Sequence, residues 1–218
     1  MISETVENYL KALFTLADEK GKVSVSELSQ CLNVSKPTAN SMAKTLQQEG
    51  FVVYEKYKPL TLTKAGKKAA ALVIRRHRLT EMFLVEKMGF AWDEVHDVAE
   101  QIEHVQAPSF FDRMDELMDF PKFDPHGSHI PDREGNIVVA DRLPLSQCSE
   151  GDSVSLVGLA QSSTELLQLL DSHQIALHQM FEVVTVEAFD QSMVLKRADS
   201  PPLTLSRQVC DELLVCLA

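Results

Sequence analysis

Residues 23–52, VSVSELSQCLNVSKPTANSMAKTLQQEGFV, contain two helical segments separated by a tight break. A short helix is predicted from about Ser26 to Leu32, and a longer one from about Lys36 to Glu49 after the break at NVS. Ser35 is placed to cap the second helix, and Gly50 follows its end. Two helices joined by three residues form a helix-turn-helix.

The segments on either side complete a winged helix. Upstream, SETVENYLKALFTLADEKG has apolar residues at helical spacing, with Ser3 or Thr5 as N-cap and Gly21 after its end. Downstream, FVVYEKYKPLTLT predicts two short strands, Val52–Glu55 and Leu60–Thr63, around the basic tip KYKP. A winged helix places its second helix in the major groove of DNA, and its wing holds phosphates.

The second helix and the wing tip carry side chains that suit DNA. Asn and Ser hydrogen-bond base edges, Pro and Thr contact thymine methyl groups, and Lys reaches phosphates. The predicted DNA-binding residues are Ser35, Lys36, Pro37, Thr38, Asn40, Ser41, Lys44, Lys56, Tyr57 and Lys58. Winged helices also serve as protein-interaction modules, so this alternative stays open from the pattern alone.

Charge is divided unequally along the chain. Residues 1–80 hold 13 Lys and Arg against 7 Asp and Glu, a formal charge of +6. Residues 81–218 hold 8 against 25, a charge of −17, which leaves −11 for the whole chain. A basic part followed by an acidic one suggests a polyanion-binding module joined to a cation-binding one, although acidic surfaces also serve solubility.

Three further helices are predicted after the wing, followed by a change of pattern. They run from a cap at Thr63 to about Lys87, from a cap at Asp93 to about Gln106, and near Pro108–Met118. The run DFPKFDPHGSHIPDREGN then indicates a linker. From Val138 onward, short β-branched segments around one helical insert, STELLQLLDSHQI, predict a small β-barrel.

Neither a membrane span nor a secretory signal is expected. No window reaches the roughly 18 consecutive apolar residues of a span, and the N-terminus lacks the basic start and cleavage site of a signal peptide. The four cysteines are scattered without a CxxC pair, which predicts reduced, mostly structural thiols. A cytoplasmic location without a membrane partner is therefore expected.

The segment FAWDEVHDVAEQIEHV, residues 90–105, combines an apolar stripe with histidines and carboxylates. On a helical wheel, an arc of about 100° holds His96, Glu100, Glu103 and His104. Val95, Val98, Ala99, Ile102 and Val105 form the core-facing stripe. Imidazole and carboxylate without thiolate favour manganese or iron(II). His77 and Glu81 repeat the pairing at i, i+4 on the preceding helix, but such faces are often only solvated.

Six motifs in order carry a family resemblance: YLKALFTL, VSKPTANSMAKTL, LTLTKAGKKAA, RRHRLTEMFL, VHDVAEQIEHV and FPKFDPHGSHIP. Together they resemble the metal-dependent repressors typified by the diphtheria toxin repressor and the manganese transport regulators, the DtxR/MntR family, over the whole chain. The resemblance implies a mainly α cytosolic homodimer with a small β domain. It implies a winged helix-turn-helix over residues 1–63, a helical dimerisation and metal-binding domain with linker over 64–137, and an SH3-like β-barrel over 138–218.

The resemblance also implies two sets of metal ligands. The primary set is Asn8, Glu100, Glu103 and His104. Glu100 stands where iron-sensing members have Cys, which points to Mn²⁺, with Fe²⁺ as the other candidate. The second-site candidates are His77, Glu81, His96 and Glu165, or Asp124 and His126 alongside Glu81. Two positions depart from the pattern: Asn8 replaces the Asp of manganese-type members, and Ser162 replaces a carboxylate of some iron-type members.

These features predict a metal-gated, DNA-binding repressor of metal-uptake genes that is not an enzyme. Metal held between helix one and the middle domain would fix two winged helices at the spacing of a palindromic operator in double-stranded DNA. Two alternatives remain: a metal-dependent hydrolase, and a metal-independent winged-helix regulator with an acidic scaffold domain. Against the hydrolase, the chain has no HExxH, nucleophile elbow or phosphate loop.

Overall fold

A computed structural model describes residues 2–138, 141–198 and 200–218. The N-terminal elements are α1 (Glu4–Lys20), α2 (Val25–Cys31), α3 (Lys36–Gln48), β1 (Val52–Val53), β2 (Thr61–Leu62), α4 (Lys64–Met88), α5 (Val95–Ile102) and α6 (Pro108–Leu117). The C-terminal elements are β3 (Leu143–Pro144), β4 (Ser153–Leu159), α7 (Thr164–Ser172), β5 (Met180–Val186), β6 (Met193–Lys196), β7 (Leu203–Leu205), α8 (Arg207–Glu212) and β8 (Leu213–Leu217). The predicted fold class, mainly α with a C-terminal β part, is confirmed.

Side-chain caps set the limits of the first three helices. Ser3 accepts the Val6 N–H at the start of α1, and Gly21 ends that helix in the left-handed region at φ 64°. The α2 helix begins slightly earlier than predicted because Ser24 and Glu27 form a reciprocal capping box. Ser35 caps α3 as predicted. Each cap contributes about 1 kcal/mol, so these helix starts are fixed locally.

The wing is a hairpin of two short antiparallel strands, shorter than the sequence predicts. Only two residue pairs join β1 to β2. The chain turns early because the Lys58 N–H donates to the Glu55 carbonyl at 2.9 Å. Leu60 instead forms an isolated antiparallel bridge with Val23, with two backbone hydrogen bonds of 2.7 and 3.0 Å. This bridge joins the wing to the segment just before α2.

Compact packing divides the chain into two units, and α4 and α5 contribute residues to both. The first unit is Met1–Thr80, Ala99–Lys122 and Ile130–Val138, and the second is Glu81–Val98, Phe123–His129 and Val139–Ala218. The predicted division into three domains stays a prediction. The core of the winged helix lies in the first unit and includes Leu10, Leu13, Leu28, Ala39, Leu46 and Leu60.

The fifth helix begins within one residue of the start predicted from a cap at Asp93, but it ends well before the predicted end at about Gln106, which was wrong. It covers only Val95–Ile102, and a tight turn follows in which the Val105 N–H donates to the Ile102 carbonyl at 3.0 Å. Val105, predicted to face the core, is 40% exposed because this turn rotates it outward. The buried positions Val95 and Ala99 are confirmed.

The run predicted as a linker is folded, which corrects that prediction. Phe123 and His129 form an antiparallel bridge, and the turn between them buries Asp124 and His126. The turn can be buried because the Asp124 carboxylate accepts hydrogen bonds from backbone N–H groups of the turn, which therefore do not need water as a partner. The segment therefore positions side chains rather than merely joining domains.

The second unit contains a six-stranded antiparallel sheet in the order β3-β8-β4-β5-β6-β7. Irregularities interrupt its register between Leu156 and Gly158 and between Val183 and Thr185. The sequence pattern predicts one helical insert after Val138, but the structure has a second helix, α8, between β7 and β8, because Ser206 caps a helical turn there. The core under the sheet includes Leu145, Val154, Leu156, Leu167, Leu170, Phe181, Val183 and Leu213.

The cysteines are free thiols, as predicted. Cys148 and Cys210 are buried, and burial raises the pKa of the Cys210 thiol to about 12, which keeps it protonated. Among the described residues, no helix combines the length and the apolar character that crossing a bilayer requires.

Candidate metal centres and DNA-binding surface

A groove of about 470 Å³ lies between α3 and the wing in the first unit. It is lined by six of the predicted DNA-binding residues: Lys36, Asn40, Lys44, Lys56, Tyr57 and Lys58. The remaining four, Ser35, Pro37, Thr38 and Ser41, are exposed along α3 outside this lining. Four lysines on one concave surface form an electropositive track of the kind that phosphate backbones require.

Two contacts orient this surface. The Tyr54 hydroxyl donates to Asn40 Oδ1 at 2.9 Å, which holds the side-chain amide of Asn40 on the exposed side of α3. At the wing tip, Tyr57 is 91% exposed and has a left-handed φ of 67°, while the Lys56 ammonium lies 4.9 Å from the centre of its ring. Sequence reasoning missed Tyr54, because a lone aromatic in a short strand reads as core.

The predicted primary ligands Asn8, Glu100, Glu103 and His104, here called the first ligand set, lie in the first unit. Glu103 is fully buried, and its carboxylate accepts from Lys11 Nζ at 2.7 and 2.9 Å and from His77 Nδ1 at 2.6 Å. Lys11 Nζ also donates to Glu100 Oε1 at 2.5 Å. The structure thus brings Glu100 and Glu103 together around an ammonium group of α1.

His104 of the first ligand set contacts Glu7, an acid of α1. Its Nδ1–H donates to Glu7 Oε2 at 2.7 Å, and Arg76 Nη2 donates to Glu7 Oε1 at 2.7 Å. Gln106 Nε2 adds a third contact to Glu7 at 3.1 Å. Burial raises the pKa of Glu7, but the hydrogen bonds from Arg76 and His104 outweigh it and hold that pKa below its ordinary value.

Asn8, the fourth member of the first ligand set, is half-buried on α1. Its Oδ1 is buried and has no hydrogen-bond partner within the part of the chain that the structure describes. An amide oxygen is neutral, so it offers a divalent cation less than a carboxylate would. With Lys11 already between the two glutamates, the first ligand set as it stands does not fit a divalent cation.

Three buried side chains of the second unit, Glu81, Asp124 and His126, form the second ligand set. They are 3%, 6% and 3% exposed, and each offers one ligand atom such that these atoms all lie within 4.8 Å of one another. Glu81 Oε2 is 3.8 Å from His126 Nδ1, and Glu81 Oε1 is 3.5 Å from His96 Nδ1. The set matches one of the two predicted second-site alternatives.

Backbone contacts fix the imidazole of His126. Its Nε2 lies 2.8 Å from the Trp92 carbonyl oxygen, and a carbonyl only accepts, so Nε2 carries the proton. In the neutral ring the lone pair is then on Nδ1, the atom that faces Glu81. A second hydrogen bond that sets the tautomer in this way is typical of metal-binding histidines.

The turn that carries Asp124 and His126 is pressed against β4. Asp124 Oδ1 accepts from the backbone N–H of His126 at 2.9 Å and of Ser128 at 2.8 Å, which fixes the carboxylate. Gly127 has φ +82°, and a Cβ there would lie 2.3 Å from the Val157 carbonyl oxygen. Only glycine fits this close approach, so the turn is held rigidly without a side chain at that position.

The remaining second-site candidates are placed differently. Glu165 is exposed in the first turn of α7, and His77 donates to Glu103 of the first ligand set. Sequence reasoning missed Glu7, Lys11 and Arg76. Helical spacing could have found Lys11, because Asn8 and Lys11 at i, i+3 share one face of α1.

Family models match most of the region that holds these features. Residues 1–60 match the model for the iron dependent repressor, N-terminal DNA binding domain, and residues 63–132 match that for the iron dependent repressor, metal binding and dimerisation domain. The chain is 32% identical to the HTH-type transcriptional regulator MntR of Bacillus pumilus (strain SAFR-032). This match extends over 120 residues, which are 55% of this chain and 83% of that relative. The chain belongs to the DtxR/MntR family of metal-dependent repressors.

Solved structures extend the similarity to the DtxR/MntR family over the length of the chain. A structure described as a manganese-dependent transcriptional repressor complex with manganese is 31% identical, with a TM-score of 0.89 and coverage of 98% of this chain and 100% of that one. A structure of ScaR with bound Cd²⁺ is 29% identical, with a TM-score of 0.82 and coverage of 96% and 98%.

Membership of the DtxR/MntR family confirms the predicted function class. The protein is a metal-dependent, DNA-binding transcriptional repressor and not an enzyme. The hydrolase alternative and the metal-independent scaffold alternative are thereby set aside.

Proposed function

We propose that this repressor senses Mn²⁺, or Fe²⁺ as the second candidate, through Glu81, Asp124 and His126. The observation that carries the proposal is the second ligand set itself: two carboxylates and an imidazole, all buried, with ligand atoms within 4.8 Å of one another. Oxygen and imidazole donors without thiolate suit Mn²⁺ and Fe²⁺. When bound, a divalent cation supplies the positive charge that two buried carboxylates require.

The protein atoms of the second ligand set are prepared for such a ligand. Asp124 is fixed by two backbone N–H groups, and the neutral ring of His126 carries its lone pair on Nδ1, the atom that faces Glu81. Preorganised donors lose little conformational entropy on binding, which favours affinity. Support for manganese comes from relatives, since one similar structure is described as a complex with manganese and the curated relatives carry the name MntR.

We further propose that the repressor is a cytoplasmic homodimer that binds a palindromic operator. A match to a dimerisation domain supports the dimer. Phe110 and Leu117 on α6 and Phe120 just after it are 42%, 56% and 48% exposed, and an exposed apolar face of this kind is typical of a subunit interface. Two winged helices related by a two-fold axis read half-sites about one helical turn apart, or multiples of it.

DNA binding with and without metal tests the proposal. A randomised duplex library is selected with the full-length protein in Mn²⁺, and the selected duplex is titrated by fluorescence anisotropy in Mn²⁺ and in EDTA. We expect an inverted repeat, and at least about tenfold tighter binding in Mn²⁺, within the usual range of allosteric coupling.

Matched variants assign the metal effect to the second ligand set. Asp124→Asn keeps Oδ1 for the backbone N–H groups but removes the charge, so it is expected to bind DNA in Mn²⁺ only as tightly as wild type does in EDTA. The control is Glu182→Gln, the same chemical change at an exposed residue that lies 3.9 Å from Lys196; it should respond like wild type. Equal affinities of wild type in Mn²⁺ and EDTA would contradict metal gating.

A further inference from the structure

We infer that Lys11 is the resident cation of the first ligand set, and that its ammonium group does there, without metal, the work of joining α1 to Glu100 and Glu103. This inference rests on the proposed function in one respect: the metal response is assigned to the second ligand set. It goes beyond that function because it gives the first ligand set a role that requires no ion.

Geometry gives the first support. A single ammonium group contacts three carboxylate oxygens, Glu100 Oε1 at 2.5 Å and the two oxygens of Glu103 at 2.7 and 2.9 Å. Lys11 is 19% exposed and Glu103 is not exposed at all, so water screens this contact little. A lysine has three N–H donors, and three acceptor oxygens match that number.

Formal charge gives the second support. Glu100 and Glu103 contribute −2 and Lys11 contributes +1, so the trio carries −1 without metal. With Asp in place of Asn8 and Mn²⁺ in place of Lys11, the carboxylates would contribute −3 and the ion +2, which again leaves −1. Asn8 in place of the acid and Lys11 in place of the ion therefore leave the net charge of the site unchanged. A divalent ion added beside Lys11 would instead meet a like charge.

Other side chains in and around the first ligand set also form contacts that need no metal. His77 donates to the carboxylate of Glu103, and His104 donates to Glu7, which Arg76 also contacts. Asn8 Oδ1 is the buried acceptor there that lacks a partner among the residues described, and it is neutral. Contacts of α1 with the turn after α5 thus exist before any metal is added.

Mn²⁺ equivalents per chain measure the inference directly. Full-length protein is dialysed to equilibrium against Mn²⁺, bound metal is counted by elemental analysis, and the fluorescence of Trp92 is followed in parallel. Trp92 is the only tryptophan of the chain, and its ring is 6.1 Å from that of His126, so it reports on the second ligand set. We expect one equivalent for wild type, bound together with the Trp92 response.

Substitutions at Lys11 and Asn8 are expected to create a second equivalent. N8D/K11Q restores a third acid and removes the ammonium group, so it should bind two Mn²⁺ per chain. N8D/K11Q/D124N should bind one without a Trp92 response. A wild type that binds two equivalents, one of them lost in E100Q, overturns the inference, and so does an N8D/K11Q variant that folds and binds no more metal than wild type.

Acylation of Lys11 tests the inference on the unaltered protein, where folding of a variant is not at issue. Labelling by an N-hydroxysuccinimide acetate is followed by peptide mass spectrometry, with exposed Lys36 as the internal reference. Lys11 should label more slowly than Lys36, and Mn²⁺ at the concentration that saturates the Trp92 response should leave this ratio unchanged. A several-fold rise in Lys11 labelling with Mn²⁺ shows displacement and overturns the inference.

The two proposals fail in different ways. Should wild type bind no Mn²⁺ and Trp92 stay silent, the second ligand set is not the sensor and the proposed function fails. One equivalent gained by N8D/K11Q would support the role of Lys11 even then. Conversely, a normal Trp92 response together with metal-induced exposure of Lys11 leaves the sensor intact and rejects the resident cation.

Discussion

The two ligand sets contain nearly the same chemical groups, two carboxylates and a histidine, but differ in what surrounds them. In the first, a lysine of α1 lies between Glu100 and Glu103. In the second, Glu81 and Asp124 meet imidazoles and backbone N–H groups. Ligand types alone therefore do not identify a metal site, because a neighbouring ammonium group can satisfy the same acids.

The two sets also differ in how they are held. In the first ligand set, the long and flexible side chain of Lys11 joins the two glutamates. An ion pair of this kind is lost when either partner is substituted. A turn fixed by backbone hydrogen bonds and by the close approach of Gly127 to β4 builds the second. Substitutions should therefore disturb the first set through charge and the second through backbone geometry.

The largest effect is expected from Gly127→Ala. The new Cβ would lie 2.3 Å from the Val157 carbonyl oxygen at φ +82°, so strain and overpacking together should cost roughly 3–5 kcal/mol in urea unfolding. The control is Gly151→Ala, where φ is +89° but no atom lies within 4 Å; only backbone strain of about 1 kcal/mol should appear. Equal losses at the two positions would show that β4 does not press on the turn.

Saturating Mn²⁺ should stabilise wild type by about 2.7 kcal/mol at 100 times its Kd. Asp124→Asn should lose this stabilisation, whereas Glu103→Gln should retain it because the first ligand set holds no metal. Thermal unfolding with and without Mn²⁺ measures both. Retention by Asp124→Asn, or loss by Glu103→Gln alone, would reverse the roles of the two sets.

In EDTA the ranking of the same two variants should invert. Glu103→Gln leaves Lys11 without its buried partner and should cost about 2–3 kcal/mol, less than a fully buried pair because Lys11 is partly exposed. Asp124→Asn keeps Oδ1 for its two backbone donors and should change stability by less than about 1 kcal/mol. Urea unfolding in EDTA measures the loss of stability in both variants. Equal losses would contradict the proposed difference between the two ligand sets.

The smallest effect concerns acid stability and Glu7. Because the pKa of Glu7 is lowered in the folded state, its contribution is present above its ordinary pKa of 4.5 and is lost as pH falls through the folded value. Glu7→Gln should cost about 1 kcal/mol at pH 7 and progressively less at acidic pH. The control, Ser3→Ala, removes the cap of α1 and should cost a similar amount at every pH. If the loss of stability in both variants depends on pH in the same way, the ionised carboxylate of Glu7 does not contribute to stability as proposed.

Local signals in the sequence were sufficient for the winged helix. Ser35, Gly21 and the break at NVS act within one turn of chain, so the helices could be predicted without knowledge of distant contacts. The end of α5 could not, because periodicity continues through Glu103 and His104 although the backbone turns after Ile102. The roles of these ligands in metal binding stay predictions.

The ligand sets were predictable only in part. A wheel that considers acids and imidazoles finds Glu100 and Glu103 but passes over Lys11, which comes from a helix 89 residues away in sequence from Glu100. Asp124 and His126 looked like linker residues by composition, and only the family resemblance pointed to them. Burial of a polar turn depends on β4, and no local pattern encodes that contact.

The hydrogen bond from Tyr54 to Asn40 bears on which bases the repressor can read. The hydroxyl occupies one acceptor site of Asn40 Oδ1, so the amide meets base edges mainly through its N–H₂ group. Purine N7, guanine O6 and thymine O4 accept from such a donor, whereas two-point pairing with adenine also needs the oxygen. Tyr54 of the wing thus restricts Asn40 of α3 mainly to hydrogen-bond acceptors on the bases.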